Sequence, residues 1–256
     1  MPDLAMTGPT LQIAAARDVI LRDGTTLRLR PPAAADTDAL VSFFQGLSVR
    51  SRFLRFHGLA ATGPQMVTMF VDPDWAEQGS FVGCLGEGDA ERIVALGSYA
   101  RLRDPRTAEA AFAVADDFQR RGIGTRLLEQ LAEAAAEHGI ESFVAEVLPE
   151  NRNMLAVFEN VGFKATRGLE GGVYEVRFPI AATETYRERV DERDHVAVTA
   201  SLQGFFRPRT VAVIGASSRR GNIGGELFRN VLEADFQGAA FPINRKGEPV
   251  AGVKAY

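Results

Sequence analysis

The clearest hydrophobic pattern in the chain lies in its middle third. Residues 110–115 form a short apolar run that is typical of a buried strand. Leucines and alanines then recur at helical spacing over residues 126–138, with glutamates between them, which predicts an amphipathic helix. Residues 142–147 predict a second strand, so the segment has the order strand, turn, helix, strand.

The turn between the first strand and the helix contains two glycines, Gly122 and Gly124. A strand that turns into a helix leaves backbone N–H groups unpaired at the helix N-terminus, where the helix dipole adds positive charge. Neither glycine has a Cβ that would hold a phosphate away from the backbone. Arg120 and Arg121 add positive charge beside them. The turn therefore predicts an anion site, although a plain strand-to-helix turn would have the same pattern.

Further elements are predicted on both sides of this segment. Two apolar runs flank Asp23 and Gly24, a dipeptide typical of a hairpin turn. The other predicted elements are a helix after Asp36, strands over residues 80–84 and 93–99, a helix from Asn153 and a strand over residues 172–178. Residues 48–56 leave two interpretations open: an amphipathic helix that only packs its apolar side chains, or one wall of an acceptor site.

Composition narrows the class of protein. The chain has 256 residues, 46% of them hydrophobic, and a net charge of −4, which argues against a general nucleic-acid binder. The single Cys84 excludes an internal disulfide, and its apolar neighbours predict a buried structural thiol. The three histidines show no metal spacing, and we find neither a signal peptide nor a membrane span. We therefore expect a cytoplasmic protein without a metal, nucleic-acid partner or membrane partner.

The composition changes after residue 180. Residues 181–203 are highly charged and predict a linker or an exposed helix. Residues 210–224 then predict a buried strand that enters a glycine-rich turn, followed by a helix and a second strand near residues 240–244. This is the pattern of one βαβ unit, the start of a doubly wound nucleotide-binding domain. Because such a domain needs about two of these units, we expect a fragment or a truncated form of a longer protein; the alternative is a naturally short appendage that closes the sheet.

Two motifs resemble those of the GNAT acetyltransferase superfamily. The run from Gln119 to Thr125 resembles its acyl-CoA pyrophosphate loop, and residues 151–163 resemble its later segment that runs from an asparagine through a helix to Gly-Phe. The resemblance covers about residues 18–180. It implies an α/β GNAT fold, with a mixed, mostly antiparallel sheet and helices on both faces, and it implies acetyl-CoA as co-substrate.

The resemblance also implies which residues bind acetyl-CoA. They come from the strand before the glycine turn, from the turn itself and from the later helical segment. These residues are Phe112, Ala113, Val114, Gln119, Arg120, Arg121, Gly122, Ile123, Gly124, Thr125, Asn151 and Phe158. A backbone N–H near Val114 or Ala115 is the expected donor to the oxyanion.

Transfer to an amine needs a base, because a lysine amine with its ordinary pKa near 10.4 is charged at neutral pH. Glu109 leads as the candidate, since related lysine acetyltransferases often place a glutamate ten positions before the residue that matches Gln119. Glu146, in the next strand, is the second candidate. Glu109 could instead be a solvent-facing glutamate at the end of a strand, and Glu146 could instead be a hydrogen-bond acceptor behind the reacting groups. Many GNAT enzymes have a tyrosine acid at the position of Phe158, which cannot donate a proton.

The last part of the chain resembles the start of the CoA-binding domain of nucleoside-diphosphate-forming acyl-CoA synthetases. The matching residues are the run from Phe205 to Ser217 and the Pro-Ile-Asn segment at residues 242–244. A GNAT domain joined to such a domain resembles the bacterial Pat-type protein lysine acetyltransferases, whose acceptors include acyl-CoA synthetases. The domains expected are a mobile tail (1–17), a GNAT domain (18–180), a charged linker (181–203) and a partial Rossmann-like CoA-binding domain (204–256).

Three functions stay open at this point. Protein lysine acetylation is favoured by the synthetase-like C-terminal segment. The GNAT motifs alone would equally suit acetylation of a small-molecule amine. The third is an acyl-CoA-binding sensor with little catalysis, which the presence of Glu109 disfavours. An active acyl-CoA ligase is not supported, because the other parts of such an enzyme are missing from this sequence.

Overall fold

The computed structural model describes residues 15–58 and 63–256. The chain divides into two compact units, residues 1–198 and residues 199–256. The mobile tail expected at residues 1–17 falls mostly on residues 1–14, which lie outside the described residues. Arg17 begins the first strand.

A sheet of eight strands forms the centre of the first unit, in the order β1-β2-β3-β4-β5-β6-β8-β7. The strands are β1 (Arg17–Ile20), β2 (Thr26–Arg30), β3 (Gln78–Leu85), β4 (Arg92–Arg101), β5 (Thr107–Val114), β6 (Ser142–Val147), β7 (Thr166–Glu170) and β8 (Val173–Pro179). Neighbouring strands are antiparallel except for β5 and β6, which are parallel. The expectation of a mixed, mostly antiparallel sheet is therefore confirmed.

Helices cover both faces of this sheet, as expected. They are α1 (Thr37–Gly46), α2 (Val49–Phe56), α3 (Pro64–Val67), α4 (Ile123–Glu137), α5 (Arg152–Val161) and α6 (Glu184–Phe206). On one face the leucine stripe of α4 packs with Phe143 and Phe178 of the sheet. On the other face α1 packs its phenylalanines against Val82 and Cys84. Cys84 is buried, which raises the pKa of its thiol to about 12 and fits a structural role.

The parallel pair β5 and β6 joins over only a short stretch. Thr107, Ala108 and Glu109 pair with residues 142–144, and the register ends there, although β5 continues to Val114 and β6 to Val147. The far half of β5 pairs with β4 alone. Along this far half of β5, every second backbone N–H group therefore points toward a gap between β5 and β6.

Residues 181–203, for which the sequence predicts a linker or an exposed helix, lie mostly in the helix α6. Within the first unit its side chains pack on the domain. The ring of Tyr186 stacks on Phe163, with 4.7 Å between the ring centroids, and Ala197 is buried. The high charge of this segment fits such packing, because several of its charged groups pair with residues of other helices, as described below.

The second unit contains one βαβ unit. The strands β9 (Thr210–Ile214) and β10 (Ala239–Ile243) are parallel neighbours, and the helix α7 (Ile223–Glu233) connects them. Phe228 of α7 is fully buried and packs with Val213. The order of elements agrees with the sequence, and its place in a larger Rossmann-like domain stays a prediction.

Candidate functional site

A cavity of about 730 Å³ in the first unit lies where β5 ends and α4 begins. Residues of α2, α5 and α6 complete its walls. Every residue that the sequence assigned to acetyl-CoA lines this cavity except Phe158. Those residues are Phe112, Ala113, Val114, Gln119, Arg120, Arg121, Gly122, Ile123, Gly124, Thr125 and Asn151.

Phe158 lies elsewhere, and its assignment as a coenzyme-binding residue needs correction. Its ring is 1% exposed and packs on Phe178, with 5.0 Å between the ring centroids. Met154, Val157 and Asn160 of the same helix line the cavity instead. One residue advances a helix by about 100°, so Phe158 turns into the core when Val157 faces the cavity.

The glycine turn has the geometry of an anion site. Gly122 precedes α4 with φ at +90°, a backbone conformation that other residues rarely adopt. No side chain caps the first turn of α4, so no capping side chain accepts a hydrogen bond from the N–H groups of Ile123, Gly124 and Thr125. Arg121 lies beside them, with its guanidinium 5.0 Å from the ring centroid of Phe118. The turn therefore offers N–H donors and a cation to a phosphate.

The open edge of β5 supplies further donors. The N–H of Ala115 donates to the carbonyl of Val94 in β4 at 2.8 Å, so it is already used. Because N–H directions alternate along a strand, the N–H groups of Val114 and Phe112 point away from β4, toward the gap beside β6. Of the two oxyanion donors that the sequence left open, the geometry favours Val114.

Gln119 and Asp116 fasten this edge to α2. Gln119 donates through Nε2 to the carbonyl of Val114 at 3.1 Å and to the hydroxyl of Ser51 at 3.2 Å. The carboxylate of Asp116 accepts from the N–H of Ser48 at 2.9 Å and from the hydroxyls of Ser48 and Ser51, each at 2.7 Å. Partial burial tends to raise the pKa of Asp116, but these hydrogen bonds outweigh it and hold the pKa below its usual value.

Asn151 begins the other wall of the cavity. It is the N-cap of α5, and its side-chain oxygen accepts from the N–H of Met154 at 3.2 Å. This bond fixes the amide group, and the cap does not use the two N–H donors of Nδ2. Asn151 therefore has both a local structural role and donors suited to a polar ligand in the cavity.

The first base candidate, Glu109, stands at the last paired position of β5, opposite Val144 of β6. It is exposed and does not line the cavity. The nearby Arg55 of α2 lies over the rings of Phe56 and Phe70, with 5.1 and 5.9 Å between the guanidinium carbon and the ring centroids. Burial lowers the pKa of Arg55 to about 10, and the negative charge of Glu109 opposes this shift. Arg55 thus remains a cation at neutral pH.

The second candidate, Glu146, lies on the same face of the sheet as Glu109, because it comes two residues after Val144. It is also exposed and outside the cavity lining. Its carboxylate lies 3.7 Å from Nδ1 of His57, which ends α2 in a left-handed conformation. The C-terminal end of α2 therefore places Arg55 near Glu109 and His57 near Glu146.

Sequence reasoning missed several residues that line the cavity. They are Leu21, Arg22, Leu47, Phe118, Arg126, Asn153, Met154, Ala156, Val157, Asn160, Glu192, Arg193 and Val196. Residues 48–56 gave a partial indication, because one of their two interpretations was a wall of the acceptor site. Ser51, Leu54 and Arg55 of α2 line the cavity. The residues of α6 had no signal, because their charge pattern alone suits a solvent-exposed helix.

The described parts of the chain show neither a metal-binding cluster nor a membrane-spanning helix. No cluster of three or more His, Cys, Asp or Glu side chains there has the geometry to hold a metal ion. None of the helices described is both long enough and apolar enough to cross a bilayer.

Comparison with known proteins places the first unit among acetyltransferases. The family model for "Acetyltransferase (GNAT) family" matches residues 50–163. The crystal structure of the GNAT domain of S. lividans PAT is similar, at 34% identity and a TM-score of 0.57, and the match covers 64% of this chain and 96% of that domain.

Two curated relatives match different parts of the chain. Acetyltransferase Pat of Mycolicibacterium smegmatis is 29% identical over 145 residues, which are 56% of this chain and 43% of that protein. The chain thus matches less than half the length of this relative. The alpha subunit of ADP-forming acetate–CoA ligase I from Pyrococcus furiosus is 45% identical over 47 residues at the C-terminus, which are 18% of this chain and 10% of that subunit.

The hydrogen bonds of Asp116 allow a test of how strongly α2 is held to the segment before the glycine turn. We expect Asp116→Asn to lower the free energy of unfolding at pH 7 by about 1 kcal/mol, since an amide accepts less strongly than a carboxylate at a partly exposed site. The folded-state pKa is depressed, so the carboxylate's contribution is complete above about pH 4 and lost as the pH falls through that lower pKa.

Urea unfolding between pH 7 and pH 3 measures this effect. Asp117→Asn is the matched control, because Asp117 is the exposed neighbour of Asp116 in the short helix Asp116–Phe118. A difference between Asp116→Asn and the unaltered protein that stays constant down to pH 3 would show that the charge does not stabilise α2.

Proposed function

The chain belongs to the acetyltransferase (GNAT) family, and from that premise we propose that it moves an acetyl group from acetyl-CoA to a lysine side chain of another protein. The single observation that carries the proposal is the cavity at the glycine turn, which combines phosphate donors with an open strand edge.

The cavity suits acetyl-CoA in each of its parts. The uncapped first turn of α4 and the cation of Arg121 suit the pyrophosphate. The open edge of β5 suits the amide groups of the pantetheine arm, which can pair with the backbone as an added strand does. In this arrangement the thioester lies near Val114, whose N–H would stabilise the oxyanion.

Glu109 is proposed as the base. Because it lies outside the cavity lining, it would take a proton from the lysine ammonium through a water molecule. The neutral nitrogen then attacks the thioester carbon, and a C–N bond forms to give a tetrahedral intermediate with an oxyanion and a positively charged nitrogen. This intermediate collapses as the C–S bond breaks, and the second proton of the nitrogen passes to water, which leaves a neutral amide. The sulfur leaves with the electron pair as a thiolate. This needs no protein acid, since free thiols have a pKa near 8.5, and the buried Phe158 supplies none.

Three observations support a protein lysine as the acceptor. The carboxylates of Glu109 and Glu146 on one open face would attract a cationic side chain. The relatives of the first unit are the acetyltransferase Pat and the GNAT domain of a PAT protein. The C-terminal match to an acetate–CoA ligase favours an acyl-CoA synthetase as the acceptor protein. A small-molecule amine is the alternative acceptor, and an acyl-CoA sensor with little catalysis is the alternative function.

The acceptor is tested by competition between candidate classes. We expect incubation with acetyl-CoA and a purified acyl-CoA synthetase to acetylate specific lysines, read out by mass spectrometry. Spermidine, free lysine and an unrelated lysine-rich protein serve as comparators in parallel reactions. Faster acetylation of a small amine than of any protein would favour the alternative acceptor, and no transfer to any acceptor would favour the sensor.

Binding of acetyl-CoA is tested at Gly124 rather than at Gly122. Any side chain at Gly122 would be strained by its positive φ, whereas a Cβ at Gly124 meets only Val157, at 3.4 Å. We expect Gly124→Leu to fill the phosphate position and weaken acetyl-CoA binding at least about tenfold in calorimetry, without loss of the fold. Gly46→Leu, in open space at the end of α1, is the control. Unchanged affinity in a folded Gly124→Leu protein would contradict this site.

The role of Glu109 is tested by removing its proton acceptor. We expect Glu109→Gln to lower turnover on the order of a hundredfold, with little change in acetyl-CoA affinity. Steady-state kinetics at saturating acetyl-CoA measures this. If Glu109→Gln keeps full activity while Glu146→Gln loses it, Glu146 is the base.

A further inference from the structure

One wall of the cavity comes from a helix that follows the GNAT sheet in sequence. Glu192, Arg193 and Val196 of α6 all line the cavity. Residues three or four apart lie on one side of a helix, so a single face of α6 is turned toward the cavity. Val196 is half exposed, although it is apolar.

Arg193 connects α6 to the two helices that flank the cavity. Its guanidinium donates to the carbonyl of Asn160 at 2.9 Å and to the carbonyl of Val161 at 3.4 Å, at the C-terminal end of α5. It also pairs with the carboxylate of Glu129 in α4. A single side chain of α6 thus contacts both α4 and α5.

A second pair between α6 and α4 lies beside the first. Arg126, in the first turn of α4, pairs with Glu129 at 3.0 Å and with Asp194 of α6. The side chains of Arg126 and Glu129 are only 9% and 11% exposed. Burial tends to lower the pKa of Arg126, but the two carboxylates outweigh it and raise the pKa. Removing one member of such a group leaves its partner buried without compensation, which is costly.

We infer that α6 is a wall of the acetyl-CoA site and that Arg193 is a positioning residue, which sets the spacing of α4 and α5 around the coenzyme. The inference rests on the proposed binding of acetyl-CoA in this cavity. The first turn of α4 carries the phosphate donors, and Arg126 in that turn is held through α6. Acetyl-CoA affinity therefore depends on the placement of α6, whereas the chemistry at β5 does not.

The first test separates binding from chemistry in the full-length chain. We expect Arg193→Gln to weaken acetyl-CoA binding about tenfold in calorimetry and to raise KM for acetyl-CoA by a similar factor, with the effect on KM rather than kcat. Glu129→Gln should also weaken binding, because Glu129 pairs with both Arg193 and Arg126. The double variant should lose less than the sum of the two single losses, because both changes remove the pair between Arg193 and Glu129. Arg187→Gln, on the exposed side of α6, is the control.

A second pair of variants tests the wall without disturbing the buried charges. Because Val196 is half exposed, either charge can be placed there without loss of packing. Acetyl-CoA is strongly anionic, so Val196→Glu should weaken binding several-fold at low salt and Val196→Lys should tighten it, with both effects shrinking as salt is added.

The outcomes distinguish this inference from the proposed function. Unchanged acetyl-CoA affinity in Arg193→Gln, together with equal affinities in the two Val196 variants, would overturn the inference that α6 is a wall of the site. Binding of acetyl-CoA by the unaltered protein would still leave the proposed function standing. A loss confined to kcat in Arg193→Gln would overturn its positioning role. Failure of the unaltered protein to bind acetyl-CoA would overturn the proposed function and this inference with it.

Discussion

Strands β5 and β6 pair over three residues and then part, and the site depends on this gap. An unpaired backbone N–H that is shielded from water costs free energy, so the open edge of β5 favours a ligand that can accept its hydrogen bonds. The end of β5 and the uncapped N-terminus of α4 line the same cavity. In the proposed binding of acetyl-CoA, backbone donors for the pantetheine arm and for the pyrophosphate therefore lie in one cavity.

Two groups of charged and polar side chains hold the glycine turn from opposite sides. Asp116 and Gln119 connect the segment before the turn to α2. Arg126 and Glu129 connect the segment after it to α6. The turn itself has no side-chain cap. The side chains before and after it are therefore hydrogen-bonded or ion-paired, while the N–H donors of α4 remain available to a ligand. Such preorganisation lowers the entropy that binding must overcome.

The face that carries Glu109 and Glu146, which is proposed for the acceptor, is rich in charged side chains. Glu109 lies near the cation of Arg55, and Glu146 lies near His57, both at the C-terminal part of α2. The carboxylates therefore stand beside positive or ionisable groups instead of facing solvent alone. Because neither lines the cavity, the proposed function assigns coenzyme binding and proton removal to different residues.

The sequence by itself determined the strand, glycine turn and helix, and all the residues that it assigned to acetyl-CoA line the cavity there except Phe158. These features are local: periodicity sets the elements, and glycine permits the positive φ at residue 122. Only the tertiary structure decided that Ala115 is bonded to Val94, that Phe158 faces the core, and that α6 reaches the cavity. These depend on strand register and helix packing between residues far apart in the chain, which local patterns do not encode.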